Sequence, residues 1–379
     1  MAIYLDNNAT TPMDERVLEA MMPYFRDHFG NASSVHSRGR VARQAVETAR
    51  EQVARLVNAR PAQVIFTSGG TEANNFALRS VRHLATGPYR VAVSAVEHPS
   101  VLEPAKQWGE TGIIPVDEQG RVGQRDMRLA LANAPQLVSV MTANNETGVL
   151  QDIPSLAALA REQGVLFHTD AVQAAGKVVL DFDRLGVHLL TLSGHKLYGP
   201  KGVGALIVDS QLDIEPLLVG GGQERGRRSG TENVAAIVGF GLAAELAADE
   251  LAARSAHVQR LRERFENALQ SMTDVVLFGQ QAERLPNTVL MAIPGIDGET
   301  LLMALDRAGI EVSSGSACDS QKSRASHVLL AMGVEAEIAR CAVRISLGKE
   351  NTTDDIDQLV SVLKQQIQML RSLSSLAWA

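Results

Sequence analysis

The sequence predicts an α/β fold of a mostly parallel central sheet flanked by helices, with a smaller α+β unit behind it. Three observations carry this. Short apolar runs alternate with helix-period segments between residues 37 and about 210. Polar residues with catalytic potential cluster just after those runs. Beyond residue 230 the alternation gives way to long helix-forming stretches.

Taken in order, Val41, Ala45, Ala49, Val53 and Leu56 recur at helical spacing. Val64-Ile65-Phe66 forms an apolar run that ends in Thr67-Ser68-Gly69-Gly70, and a helical pattern follows over 71–84. Strand-like runs come next at 91–94, 113–116, 137–141, 165–169, 189–193 and 203–208, many separated by helical segments such as 153–163. Short strands that are apolar on both faces need helices on both sides, which is the parallel-sheet signature. One long Ala/Leu/Glu-rich helix is expected over 233–271, with a domain boundary near 254 inside it. Strands at 275–278 and 287–293, a helix from Gly298, a Gly/Ser-rich loop and a final helix complete the smaller unit. The first residues show no strand partner by pattern.

With 379 residues, 45% apolar and 21% charged, the chain is long enough to bury a core without a disulfide or zinc staple. Lys+Arg 36 against Asp+Glu 43 gives a net charge of −7, which argues against a chain-wide basic surface for nucleic acid. Two cysteines, Cys318 and Cys341, cannot form a disulfide framework and fit a reducing compartment. Asp6 interrupts any signal-peptide core, and the longest strongly apolar run, 234–244, is about half of the ~20 residues a bilayer span needs. A soluble, cytoplasmic protein without membrane or direct nucleic-acid contact is expected.

In an open α/β sheet, ligands bind beyond the carboxyl ends of the strands. Ser68-Gly69-Gly70-Thr71-Glu72 sits at such an end, where small residues and free N–H groups suit an anion; a strand-to-helix turn with a Thr cap uses the same residues. It lacks the P-loop lysine and the dinucleotide-binding spacing. His98, in Val96-Glu97-His98-Pro99-Ser100, precedes a Pro-started helix, and Asn144-Asn145-Glu146-Thr147-Gly148 also fits a plain turn. Asp170, in Thr169-Asp170-Ala171-Val172-Gln173, ends a strand either as partner of a ligand cation or as an N-cap. Lys196 follows Ser193-Gly194-His195 at another strand end. Partial burial there disfavours its charge and makes it a candidate Schiff-base former, with a surface loop lysine as the alternative. An anion turn, a strand-end carboxylate and a lysine are together the three needs of pyridoxal 5′-phosphate, with His98 able to stack on its ring.

A second cluster runs from Ser313 through Gly315-Ser316-Ala317-Cys318 to Ser323, nearly all small or polar, and predicts an exposed, mobile loop carrying a nucleophilic thiol. Cys341, within an apolar stretch, fits a buried structural cysteine. Arg344, in a late apolar strand, suits capture of a carboxylate or a structural ion pair. Arg225, Arg227 and Arg228 lie in a Gly-rich loop that reads as flexible and polar, without the interleaved aromatics of a nucleic-acid surface.

Together these motifs resemble the cysteine desulfurases of the class-V aminotransferase family, of the NifS/IscS type. The match runs from Tyr4-Leu5-Asp6-Asn7-Asn8-Ala9-Thr10-Thr11-Pro12 to Arg344-Ile345-Ser346-Leu347-Gly348. It rests on Asp170-Ala171-Val172-Gln173, Ser193-Gly194-His195-Lys196 and Gly315-Ser316-Ala317-Cys318. The resemblance implies fold type I of pyridoxal-phosphate enzymes, with a large domain over 15–254 and a small domain from 1–14 and 255–379. It implies Lys196 as the cofactor-bearing lysine, His98 as the ring-stacking residue, Asp170 as the pyridinium partner and Gln173 as the phenolic-oxygen contact. Gly70, Thr71, Ser193 and His195 match phosphate contacts, and Thr231 matches one given to the other subunit of a homodimer. Asn145 and Arg344 match groups that hold the substrate carboxylate and a cofactor oxygen. Cys318 matches the nucleophile that accepts sulfur from L-cysteine, leaving alanine, for an iron–sulfur scaffold or another acceptor protein. In the family this cysteine can also help hold a transient iron–sulfur cluster. The stretch 319–327 is more charged than in housekeeping members, which leaves the acceptor open.

Two alternatives keep the fold: a plain aminotransferase, which needs no thiol, and a selenocysteine lyase. A non-catalytic assembly or nucleotide-binding protein would leave Lys196 and Asp170 without a purpose.

Overall fold

Strands with no solvent-facing side form the centre of the molecule, and their alternating side chains feed two separate cores. The computed structural model describes residues 2–314 and 325–376. In chain order the strands are β1 (Ile3–Tyr4), β2 (Val64–Thr67), β3 (Arg90–Ser94), β4 (Glu110–Ile114), β5 (Leu137–Ser139), β6 (Leu166–Asp170), β7 (Leu189–Ser193), β8 (Gly204–Val208), β9 (Val276–Leu277), β10 (Thr288–Ala292), β11 (Ile310–Glu311), β12 (Ser313–Ser314) and β13 (Ala342–Ser346). Seven make the central sheet, in the order β2-β8-β7-β6-β5-β3-β4. β8 runs antiparallel to both its neighbours, and every other pairing is parallel.

Period-two alternation sends Ile65, Leu189 and Leu206 to one face and Val64, Phe66, Leu190 and Ile207 to the other. Helices Gly70–Ser80 and Pro99–Trp108 cover the first face with Phe76, Leu78 and Val101. Helices Ser37–Leu56 and Val234–Asp249 cover the second, so close together that a Cβ on Gly241 would lie 2.6 Å from Ala49 Cα.

The remaining strands form an antiparallel sheet, β12-β13-β10-β9, and a parallel pair, β1-β11. Ile3 and Leu5 join Phe265, Leu301, Ile345 and Leu363 in another core. The opening residues therefore do have a strand partner, Ile310–Glu311.

Three further expectations are corrected. The 233–271 helix is two, Val234–Asp249 and Leu251–Gln270, separated at Glu250 (φ −98°, ψ 4°). The first buries its apolar residues in the core beside the central sheet and the second in the core with Ile3, so one straight rod could not serve both. The 113–116 run is displaced, because β4 is a half-exposed edge strand whose extent follows its pairing with β3 rather than apolar character. The arginine-bearing loop is not simply polar and flexible. Its turn Glu224–Gly226 is pinned by the buried Glu224, whose carboxylate takes Arg50 Nη1 at 2.7 Å, Arg50 Nη2 at 2.8 Å and Phe66 N–H at 2.8 Å. The Arg50 guanidinium also stacks over the Phe66 ring, 4.8 Å from its centroid. This pair holds Glu224 and Arg225 in left-handed backbone, at φ 49° and 60°.

Removing one member of a buried ion pair strands the other. Glu224→Ala is expected to cost about 3–5 kcal/mol, read as a lower urea midpoint at neutral pH. A loss under about 1 kcal/mol would mean that Glu47, 3.1 Å from Arg50 Nε, suffices as partner.

Candidate active site

Chain segments that leave β2, β3, β5, β6 and β7 at their carboxyl ends converge on one cavity of about 260 Å³. It is lined by Gly70 and Thr71 after β2, His98 after β3 and Asn145 after β5. Asp170 and Gln173 enter from β6, and Ser193, His195 and Lys196 from β7. Nine residues singled out in the sequence thus share one space.

The end nearest Gly70 suits an anion. The helix Gly70–Ser80 starts at Gly69 with no side-chain cap, so its first N–H groups are open. Ser193 is buried and its Oγ has no hydrogen-bond partner. A Cβ on Gly70 would lie 3.0 Å from Val172 Cγ2, so glycine keeps this corner open. Uncapped N–H groups, an unpartnered hydroxyl and an open corner fit a phosphate.

Asp170 ends β6 with its carboxylate aimed by two donors, Asn74 Nδ2 to Oδ2 at 2.7 Å and Val172 N–H to Oδ1 at 2.9 Å. Each oxygen keeps lone pairs for a protonated ring nitrogen. Asn74, which also donates to Ser100 Oγ at 2.9 Å, was not visible as a site residue in the sequence. His98 caps the helix Pro99–Trp108, its Nδ1 accepting from Ser100 N–H at 3.1 Å. Burial, helped by nearby Lys196 and His327 and opposed by Asp170, holds its imidazole below the ordinary value. Burial likewise lowers His195 to about 4, with Lys196 and Lys201 adding to the shift.

Lys196 closes the short turn Gly194–Lys196, and its Nζ donates to Ala9 O at 2.6 Å and to Asn8 O. Asn8 is a further site residue that the sequence pattern does not reveal, although it lies within the opening motif. Gln173 Nε2 donates to the same carbonyl at 2.9 Å, and Lys177 Nζ donates to Asn8 Oδ1 at 3.0 Å.

Two expected residues lie apart from the cavity lining. Arg344 is buried on β13 and bonds Asp6 Oδ1 at 2.7 Å and Asn145 O at 3.0 Å, while its Nε has no partner. Thr231 is exposed and lines a different hollow beside Ser68 and Arg228. Cys318, with its expected mobile loop, lies outside the described residues. Of the flanking residues, Ser313 pairs with Arg344 across β12 and β13, and Ser326 Oγ donates to Glu146. Cys341 is buried, as expected of a structural thiol. Among the described residues no cluster of His, Cys, Asp and Glu forms a metal site, and no helix is long and apolar enough to cross a membrane.

Two carboxyls lie buried under the site. Burial raises Glu97 to about 8, against hydrogen bonds from Ser94 Oγ and Met141 N–H, both 2.6 Å. Burial also raises Glu146 to about 7. The folded state keeps the Glu97 proton that an unfolded chain sheds above about 4.5, so this group subtracts stability as pH rises from about 4.5 to 8. Glu97→Gln is therefore expected to gain stability relative to the wild type across that window and to level off above it. Urea midpoints at several pH values measure this, and a pH-independent difference would show Glu97 ionised in the fold.

Comparison with known proteins agrees with this geometry. The aminotransferase class-V family model, a family dependent on pyridoxal 5′-phosphate, matches residues 3–359. A cysteine desulfurase IscS of Dictyoglomus turgidum is 43% identical over 98% of this chain and 96% of its own. A solved NifS-like protein superposes with a TM-score of 0.91 at 36% identity, covering 97% of this chain and all (100%) of its own. SspA, solved in complex with cysteine, superposes with a TM-score of 0.81 at 30% identity over 92% of this chain and 100% of its own. The chain belongs to the class-V aminotransferase family, on its cysteine desulfurase branch.

Proposed function

We propose that this protein is a pyridoxal 5′-phosphate-dependent cysteine desulfurase. It takes sulfur from L-cysteine, releases L-alanine and keeps the sulfur on Cys318 as a persulfide for iron–sulfur cluster assembly or another acceptor. The observation that carries the reading is a strand-end carboxylate and a lysine facing one cavity, with an unpartnered serine hydroxyl at its anion end.

Gly70, Thr71, Ser193 and His195 would hold the cofactor phosphate, Asp170 its ring nitrogen, Gln173 its phenolic oxygen and His98 its ring face. Lys196 would be its covalent anchor. When bound, the cofactor supplies an electron sink for the pair left on the substrate carbon. Lys196, held by the carbonyls of Asn8 and Ala9, carries the substrate α-proton. Asn145, with Arg344 behind it and bonded to its carbonyl, would orient the substrate carboxylate. The Cys318 thiolate attacks the substrate sulfur: an S–S bond forms as the C–S bond breaks, and the carbon gains a proton to become alanine. Cysteine plus thiol gives alanine plus persulfide, so no external oxidant or reductant is consumed.

The proposal includes a homodimer in which Thr231 serves the second copy's site, in keeping with its place outside this chain's own cavity. It also includes the division into 15–254 and 1–14 with 255–379. Supporting it, one core draws on residues 17–247 plus Leu285 and another on Ile3, Leu5 and residues 258–367.

Incubation of the purified protein with L-cysteine and a thiol reductant is expected to yield alanine and sulfide one for one. Lys196→Ala should lose the yellow colour of bound cofactor, and an unchanged spectrum would refute its assignment. Cys318→Ala should keep the cofactor and bind L-cysteine but form no persulfide. Wild-type sulfide release by that variant would remove Cys318 from the mechanism.

A further inference from the structure

We propose that Lys177 is a positioning residue of this site: its amine fixes which way the side-chain amide of Gln173 points, and so which amide atom meets a ligand. The inference rests on the reading of Gln173 as the group that faces the cofactor's phenolic oxygen.

Lys177 Nζ lies 3.0 Å from Gln173 Oε1 and 3.0 Å from Asn8 Oδ1. On the other side of the same amide, Gln173 Nε2 donates to Asn8 O at 2.9 Å. Turned over, the amide would set its NH2 against the lysine N–H groups and its oxygen against the Asn8 carbonyl. Two hydrogen bonds would become two repulsions. Asn8 cannot turn to accommodate this. Its Oδ1 also accepts from Asn287 Nδ2 at 3.1 Å, and its Nδ2 donates to Thr288 Oγ1 at 2.9 Å. Gln173 Nε2 therefore stays the presented atom. One of its hydrogens is on Asn8, and the other serves an acceptor in the cavity that Gln173 lines.

The chemistry of the lysine fits this task. No carboxylate pairs with Lys177 among the described residues. Burial and the neighbouring charges of Lys196 and Arg344 hold its amine well below the ordinary lysine value. The amine has an N–H donor for each of the two oxygens it meets. It thus acts as a hydrogen-bond donor that aims an amide, with two uncharged oxygens and no carboxylate as its partners.

The test is equilibrium dialysis of the full-length chain, stripped of cofactor, against pyridoxal 5′-phosphate and against its 3-deoxy analogue, which lacks the phenolic oxygen. Lys177→Met is expected to weaken pyridoxal phosphate about tenfold while leaving the analogue unchanged. Lys177→Gln, which keeps a donor, should fall between Met and wild type, and should one variant fail to fold the other reads the same ratio. Gln173→Leu should show the same selectivity, and the double variant Lys177→Met/Gln173→Leu should be no weaker than Gln173→Leu alone. Equal losses for both ligands, or for neither, would overturn the role of Lys177 alone. A wild-type chain that binds neither ligand would overturn the cofactor reading and this assignment with it.

Discussion

Asn8 engages every polar atom it has, and each bond leads to a different part of the molecule. Its N–H donates to Ser346 Oγ on β13 at 2.9 Å, and its Nδ2 reaches Thr288 on β10 and Asn145 O in the site turn. Its carbonyl receives Gln173 and Lys196, and its Oδ1 receives Lys177 and Asn287. A typical hydrogen bond contributes only about 0.5–1.5 kcal/mol net, but a buried group left without a partner costs more. A fully satisfied network therefore permits one arrangement and penalises small departures from it. Asn8 thereby ties β10 and β13 to Lys196, alongside the apolar core in which Val96 and Met141 meet Leu290 and Ala342.

Around that network the site is kept poor in formal charge. Lysine amines meet neutral oxygens, His98 and His195 are pushed toward neutrality, and the carboxyls of Glu97 and Glu146 are pushed the same way from the acidic side. Asp170, by contrast, is aimed by two N–H donors. Proton transfer works best between groups poised near the working pH, and a lysine nucleophile must be uncharged. For His98, His195, Glu97 and Glu146 burial is the largest cause of the shift.

The sequence made the strand ends legible. Buried strands write themselves as apolar runs, and whatever polar residue follows such a run in a parallel sheet faces the crevice, so Asp170, Ser193 and Lys196 could be picked out locally. Asn8, Asn74 and Lys177 could not. Asn8 and Asn74 take their roles from partners far along the chain, such as Thr288 and Ser346 for Asn8 and Asp170 for Asn74, and Lys177 meets Gln173 nearby but needs the distant Asn8 as well, so no local periodicity records them. The break at Glu250 was hidden for a related reason: both helices have good helical propensity, and only the existence of two cores forces the chain to turn. β4 was displaced because an edge strand need not be apolar. Thr231 drew its expected role from family resemblance alone, whereas the small and polar residues around Cys318 already mark it as a nucleophile.

The pairing of β1 with β11 has a bearing on biosynthesis. Ile3 and Tyr4 find their place only once Ile310 and Glu311, about 300 residues later, are available to pair. Residues 64–208 can assemble the central sheet while translation continues, but Asn8 lacks Ser346 until β13 emerges. The surroundings of Lys196 thus stay unfinished while the central sheet forms, and the segment that completes them is made long after the lysine itself.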